Sequence, residues 1–481
     1  MVKKIMVKKI KKSKVANKTA KKSKVKDLLL KKESVWKTIT SKKEKEIHSF
    51  SENYKQFLGV SKTERLCAQN VVEELKKNGF KDITTCQKLV TGDKIYKFFK
   101  EKVVLAAIVG KKKDEWQLLC SHLDSPRLDL KPNPLYEDSD LALLQSHYYG
   151  GIKKYHWVNI PLAIHGVIHT KKGKKIVVDI GEKDDEPKVI ISDLLPHLAR
   201  TQMKKTADKV VEGEELNIIV GNKPLDDKDK ELKEFVKLNT LKILNDEYGL
   251  EEEDLSFAEL ELVPIGKPVD IGFDKSMIGA YGQDDKVCVY TTLKAMIDCK
   301  LTKKTAVAFF ADKEEIGSVG DTGAQSFVLQ TFAQEYLEKT ALKLTSGALF
   351  ENSKAISADV TVALNPTYKD VSDPKNCALL GKGVSIDKYT GSGGKFMSND
   401  ASAEFMNQVR QIFIKNKIVH QHSELGKIDV GGGGTIAMFL SRFGMSCVDV
   451  GPAVLGMHSP CEITSKADIY EAYLFYKAFI E

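Results

Sequence analysis

Five short stretches of the chain carry histidine or carboxylate side chains in settings where chemistry is possible. They are His122-Leu123-Asp124-Ser125-Pro126, Gly282-Gln283-Asp284-Asp285, Glu314-Glu315-Ile316-Gly317-Ser318, Ser357-Ala358-Asp359 and Met457-His458-Ser459-Pro460. Each lies at, within or just beyond an apolar run, or where a loop meets a helix. Taken singly, each has an ordinary explanation. His122 reads equally as a satisfied core histidine, Asp284 and Asp285 as helix caps, Asp359 as a turn residue and Glu314-Glu315 as a solvated acidic loop. Taken together they form a nitrogen and oxygen donor set without cysteine, which suits zinc, manganese or cobalt. The set exceeds one closed tetrahedral site, and a catalytic site keeps one position open. Two ions about 3.5–4 Å apart, sharing one carboxylate and one water, would use it fully. Another group must then take a proton from that water. The adjacent glutamates Glu314 and Glu315 can divide the work, one holding metal and the other moving the proton.

These side chains need elements to position them. An apolar run, Thr305–Ala311, ends just before the Glu-Glu pair, and another, Trp116–His122, ends at the first histidine. A third run, Lys102–Gly110, precedes it across a Lys/Asp-rich turn, so the two read as a hairpin. Residues 44–58 read as a helix. Ser61-Lys62-Thr63-Glu64 reads as a capping box opening a helix to Lys77, with Gly79 ending it. Val287–Asp298, Ser326–Ala341, Ala401–Lys415 and Ser465–Ile480 read as further helices, with Gly431–Gly434 opening one more over Thr435–Ser441. Ile356–Leu364 and Cys447–Val450 read as strands. Strands alternating with helices argue an α/β sheet with helices on both faces, in which sites lie at the carboxyl ends of strands. Between Arg127 and Asp270 the texture shifts to short β-rich runs and charged loops. The chain therefore divides into a Lys-rich tail (1–34), a discontinuous catalytic part (35–126 and 271–481) and an inserted domain (127–270).

Composition narrows the function classes. With 481 residues the chain exceeds one ordinary core. No run of 18 apolar residues occurs, so no membrane span is expected. The eight cysteines are scattered with no CxxC pair, which fits a reducing cytoplasm better than a disulfide framework. Twelve lysines and no acid lie in residues 1–26, so the formal charge of +9 leaves −3 for the rest. The basicity belongs to a repetitive tail in which Met1–Ile5 recurs as Met6–Ile10. Such a tail is expected to be disordered. It has no aromatic residues interleaved for base stacking, so a nucleic-acid partner is not expected.

The five motifs, in this order, resemble the aspartyl aminopeptidase family of dinuclear zinc metallopeptidases. Tyr149-Gly150-Gly151-Ile152-Lys153-Lys154 and Lys388-Tyr389-Thr390-Gly391-Ser392 resemble its bacterial branch. The resemblance runs from about residue 45 to the C-terminus. It implies a phosphorylase/peptidase-like mixed sheet sandwiched by helices, with an inserted β-rich dimerisation domain. It also implies two divalent metal ions, zinc first, with manganese or cobalt as alternatives. His122, Glu315, Asp359 and His458 are then terminal metal ligands, and Asp284 is the bridging carboxylate, joined to Asp285 by a cis bond. Asp124 holds the His122 ring, and Glu314 is the general base. The substrates implied are peptides with a free N-terminus. The implied assembly is a homo-oligomer of dimers built into a tetrahedral dodecamer.

The chain departs from the family at two positions. Val362 and Thr201 stand where family members that prefer acidic N-terminal residues carry histidines, so that preference is not carried over. Lys395 reads either as an anion partner or as a solvated lysine. Gly431–Gly434 either lines the substrate cleft with backbone N–H groups or forms a tight turn. Two other functional readings compete: a related co-catalytic metal hydrolase acting on other amides, and a catalytically weak shell-forming protein.

Overall fold

The computed structural model describes residues 28–30, 33–227, 231–300 and 302–481. Nearly all of the Lys-rich tail, and with it the expectation of disorder over 1–26, lies outside the described residues. The fold is a mixed α/β arrangement of several sheets and helices. Its centre is a nine-stranded sheet whose middle strands are Val103–Ile108, Lys304–Ala311, Lys112–His122, Lys354–Ser357 and Ser446–Gly451, in that spatial order. The last four are parallel. Their carboxyl ends therefore meet along one edge, with Ala311 opposite His122 and Ser357 opposite both Cys120 and Asp449.

The sequence of Lys304–Ala311 explains why this strand is central. Alternate residues point to opposite faces, and here both sets are apolar. Ala306, Ala308 and Phe310 enter one core with the helices Glu64–Lys77, Gln283–Asp298 and Lys466–Ile480. Val307, Phe309 and Ala311 enter a second core with Trp116 and the helices Val328–Thr340 and Ala437–Ser441. A run apolar at every position is the signature of a strand buried on both faces.

The hairpin expectation for 102–110 and 116–122 is wrong. Val103–Ile108 and Lys112–His122 do not pair; Lys304–Ala311 lies between them, antiparallel to the first and parallel to the second. The connection can skip one strand because the Lys304–Thr305 backbone passes against Gly110, where a Cβ would stand 2.2 Å from the Lys304 carbonyl. Short-range turn signals do not register such an insertion. Ile356–Leu364 is likewise not one strand. Lys354–Ser357 belongs to the central sheet and Thr361–Val362 to a separate five-stranded sheet, so Asp359 sits in the crossing between them. Thr63, not Ser61, caps the helix Glu64–Lys77, its side chain accepting from the Leu66 N–H. Gly432–Gly433 pairs with Gly391–Ser392 as a small ribbon, and the helix beyond begins only at Ala437.

The strands Arg127–Asp138, Leu141–Tyr149, Pro161–His169, Lys175–Ile180, Val189–Ile191, Asn217–Gly221 and Ala258–Pro264 form a third sheet. Ala258–Pro264 pairs with both Arg127–Asp138 and Pro161–His169, so this sheet closes on itself. Among the described strands Lys175–Ile180, paired only with Pro161–His169, stays outside that closure as an edge.

Candidate metal centre

The site forms where the carboxyl ends of the parallel strands meet the five-stranded sheet. His122 is the last residue of its strand and is 1% exposed. Glu314 and Glu315 follow Ala311 through a turn in which Lys313 and Gly317 adopt left-handed conformations (φ 64° and 93°). Asp284 follows the left-handed Gly282, and the Asp284–Asp285 peptide bond is cis. His458 lies in the loop between the strands Ala453–Leu455 and Glu462–Ser465.

All five sequence motifs converge. Asp284 presents its two oxygens to two different imidazoles: Oδ1 is 3.3 Å from His122 Nε2, and Oδ2 is 3.3 Å from His458 Nε2. Asp359 Oδ1 lies 3.9 Å from His122 Nε2. Glu315 Oε2 lies 3.3 Å from His458 Nε2. Glu314 Oε2 stands 4.0 Å from His122 Nε2, at the wall of a cleft of about 480 Å³.

Each ring is held through its other nitrogen. Nδ1 of His122 meets the Asp124 carbonyl at 3.0 Å and its carboxylate at 3.3 Å. Nδ1 of His458 meets the Gly151 carbonyl at 2.8 Å. With Nδ1–H donating to these oxygens, Nε2 is the ring atom left facing the carboxylates, and on losing its proton when a cation binds it offers the lone pair a metal ligand needs. Asp124 does more than hold His122. Wholly buried, it accepts the backbone N–H groups of Glu314 and Glu315 (3.1 Å each) and the Tyr149 hydroxyl (2.9 Å).

The electrostatics have one theme. Burial pushes the Glu314 carboxyl up to about 7 and raises Glu315 and Asp359 as well. Asp284 is also buried, but the imidazoles on its two oxygens outweigh burial and hold it below the usual carboxylate range. His458 is driven the other way, up to about 10, because Asp284 and Glu315 outweigh its burial. Glu315 Oε1 and Asp285 Oδ1 are buried with no hydrogen-bond partner. Crowded acids, two imidazole Nε2 atoms directed at them and an orphaned carboxylate oxygen together fit divalent cations bound by nitrogen and oxygen donors.

Sequence reasoning missed several participants. The sequence reads Asp285 as a helix cap or as the partner of Asp284 across a cis bond, with no role of its own at the site. Its carboxylate lies within 4.8 Å of donor atoms of His122 and Asp359, close enough for the three to share an ion, but one oxygen accepts the His122 N–H at 3.1 Å. Glu462, fully buried, accepts the N–H groups of Asp284 (3.0 Å) and His458 (2.8 Å) through separate oxygens. Its only sequence signal is an acid at the start of a short strand. Ser125 donates to the Asp284 carbonyl and receives from the buried Lys286 ammonium, both at 2.6 Å. Two sequence-named residues lie apart from this chemistry. Lys395 pairs with Asp400 at 2.9 Å and covers the Tyr389 ring. Thr201 is exposed in the segment between Val189–Ile191 and Asn217–Gly221. Gly432–Gly434 do line the cleft.

Comparison with known proteins identifies the family. The model of the aminopeptidase I zinc metalloprotease family, M18, matches residues 57–480. The chain belongs to the M18 family. It is 47% identical over 452 residues to a probable M18 family aminopeptidase 1 of Borreliella afzelii, covering 92% of this chain and 98% of the relative. It is 46% identical over 457 residues to the Clostridium acetobutylicum protein of the same description, covering 93% and 97%. The crystal structure of an M18 aminopeptidase from Thermotoga maritima matches with a TM-score of 0.90 at 42% identity, over 94% of this chain and all of that one. At 22% identity, the S. cerevisiae mApe1 dodecamer shares the fold, with a TM-score of 0.72 over 89% of this chain and 95% of that one. This M18 chain is a metal-dependent aminopeptidase and a zinc metalloprotease by family.

Proposed function

We propose that the chain removes N-terminal residues from peptides using two divalent ions, zinc first, held on either side of Asp284. The observation that carries this reading is the division of the Asp284 oxygens, one 3.3 Å from each histidine Nε2. His122 and Asp359 then serve one ion, His458 and Glu315 the other, and Asp284 bridges. Asp285 is left as a support for the His122 backbone. When bound, the ions supply Lewis acidity toward the scissile carbonyl oxygen and acidify a water.

The chain's own groups do the rest. Glu314, the carboxylate of the pair that faces His122 across the cleft wall, takes a proton from the attacking water and gives it to the leaving amine. Its raised affinity for a proton suits it to both halves of that task. Asp124 fixes the His122 ring and, through the N–H groups of Glu314 and Glu315, the direction of both glutamates. The cleft receives the free amino terminus and the first side chain of the peptide.

At the level of architecture, the central sheet and its two helical layers form a phosphorylase/peptidase-like sandwich, comprising 35–126 and 271–481. Residues 127–270 form an inserted dimerisation domain. Leu194, Leu195, Leu198 and Met203 are exposed there and offer an apolar face to a second copy. Dimers assembled into a tetrahedral dodecamer are the proposed arrangement; the mApe1 fold neighbour is itself a dodecamer. Eight free cysteines support a cytoplasmic setting. The test of the function is hydrolysis of amino-acid amides by zinc-loaded protein, with free or acetylated amines. Only free-amine substrates should be cleaved. Equal cleavage of blocked substrates would identify a general amidohydrolase instead.

A further inference from the structure

The Tyr149-Gly150-Gly151 segment leaves the closed sheet and passes beneath the metal centre, touching both halves of it. Tyr149 ends the strand Leu141–Tyr149, paired opposite Arg127. Its hydroxyl donates to Asp124 Oδ2 at 2.9 Å, the oxygen that also accepts the Glu315 N–H. Its ring lies under the Arg127 guanidinium, 3.9 Å from ring centre to Cζ. Arg127 is in turn held by Glu64 at 3.2 Å, from the catalytic part, and by Glu261 at 3.3 Å, from the closed sheet. The next residue, Gly150, is in a left-handed conformation (φ 74°), and a Cβ there would stand 3.4 Å from Glu315 Cβ and 3.3 Å from Pro126. The third, Gly151, gives its carbonyl to His458 Nδ1 at 2.8 Å.

Tyr149 and Gly151 thus contact Asp124 and His458, and Gly150 between them passes so near Glu315 that a Cβ on it would meet that side chain. The first contact governs the His122 side of the site and the glutamate turn, and the last governs the His458 side. None of the three contributes a ligand atom. A segment that only packed the core would not need a phenol hydroxyl on the carboxylate that orients His122. Nor would it need its carbonyl on the non-ligating nitrogen of the second histidine.

We propose that Tyr149–Gly151 is a positioning segment that fixes donor directions at both ion positions, so that the region 127–270 contributes to catalysis as well as to assembly. The proposal rests on the ligand assignment given above. Groups that orient metal ligands in this way typically change affinity or activity by about 10–100-fold when altered.

The experiment compares full-length Tyr149→Phe and Gly150→Ala with wild type and with Asp284→Asn as the ligand control. Zinc retention is read by chelator competition, site geometry by the visible spectrum of the cobalt-substituted protein, and turnover as separate kcat and KM values. Tyr149→Phe keeps the ring on Arg127 and is expected to retain the wild-type melting temperature and oligomer size. Its zinc should be lost to chelator about tenfold or more readily, with a shifted cobalt spectrum and a fall confined to kcat. Gly150→Ala should move the same readouts in the same direction. If Asp284→Asn loses zinc while both segment variants match wild type in chelator resistance and spectrum, the positioning role is refuted and the ligand assignment stands. If Gly150→Ala does not fold, Tyr149→Phe decides by itself. If Asp284→Asn keeps wild-type zinc affinity, the ligand assignment fails and this proposal fails with it.

Discussion

Removing the Asp124 carboxylate should loosen the glutamate turn before any substrate is involved. Asp124→Ala deprives three donors of their acceptor: the Glu314 N–H, the Glu315 N–H and the Tyr149 hydroxyl. His122 keeps the residue-124 carbonyl at 3.0 Å, so its ring is not counted. An orphaned buried donor costs about 1–3 kcal/mol, giving about 3–9 kcal/mol if nothing replaces the carboxylate. A water entering the vacated space can satisfy two or more of the donors, which places the expectation near the low end, about 3 kcal/mol. Because about 1.4 kcal/mol corresponds to a factor of ten, local opening should become about a hundredfold more frequent. Hydrogen exchange followed by mass spectrometry on peptides spanning 308–318 reads this directly in metal-free protein. Peptides from the strand Val103–Ile108 serve as the reference and should be nearly unchanged. Wild-type exchange at the Glu314 and Glu315 amides would mean that Asp124 does not hold the turn, and the reasoning would be refuted.

Two further expectations concern substrate choice and pH. Among the described residues lining the cleft none is Lys or Arg, whereas Asp387 and Asp449 are there beside Met397, Met438 and Phe439. Amides of N-terminal Leu or Met should therefore surpass those of Asp in kcat/KM by about tenfold or more, given the cost of juxtaposing like charges; a preference for Asp would contradict the cleft reading. Away from the site, buried His165 lies 3.1 Å from Asp179 and 3.2 Å from Glu182. Burial disfavours its charge, but the two carboxylates outweigh burial and raise its pKa. Its stabilising contribution is complete below the unfolded value of about 6.5 and is lost as pH rises through the folded value. The melting-temperature deficit of His165→Gln should be largest on the acidic side and narrow toward alkaline pH; a pH-independent deficit would reject the ion-pair explanation.

Much of the site was legible because its chemistry is local in sequence. His122 ends its strand and Glu314-Glu315 and Asp359 sit just past strand ends, where apolar runs stop at charge, and parallel strands bring such ends together. Tertiary relations were less legible. The strand Lys304–Ala311 enters between two runs separated by a short turn, and the only local mark is Gly110, whose missing Cβ admits the Lys304 carbonyl. The Ile356–Leu364 run looks continuous because apolar residues flank Asp359 on both sides, yet its halves serve different sheets. The part played by Glu462, and the Tyr149 hydroxyl's contact with Asp124, are not legible for a related reason. Their partners, Asp284 and Asp124, are distant in the chain, and a lone acid or phenol at a strand end carries no pattern of its own.

The central claim is that adjacent glutamates have different tasks. Its most direct test is zinc content measured alongside turnover in Glu314→Gln and Glu315→Gln. Glu314→Gln should bind zinc as wild type does and lose activity by about 10²–10⁴-fold, the range for a removed general base. Glu315→Gln should lose zinc at chelator concentrations that leave wild type loaded. Near-wild-type turnover in Glu314→Gln, or undiminished zinc retention in Glu315→Gln, would contradict that division of tasks.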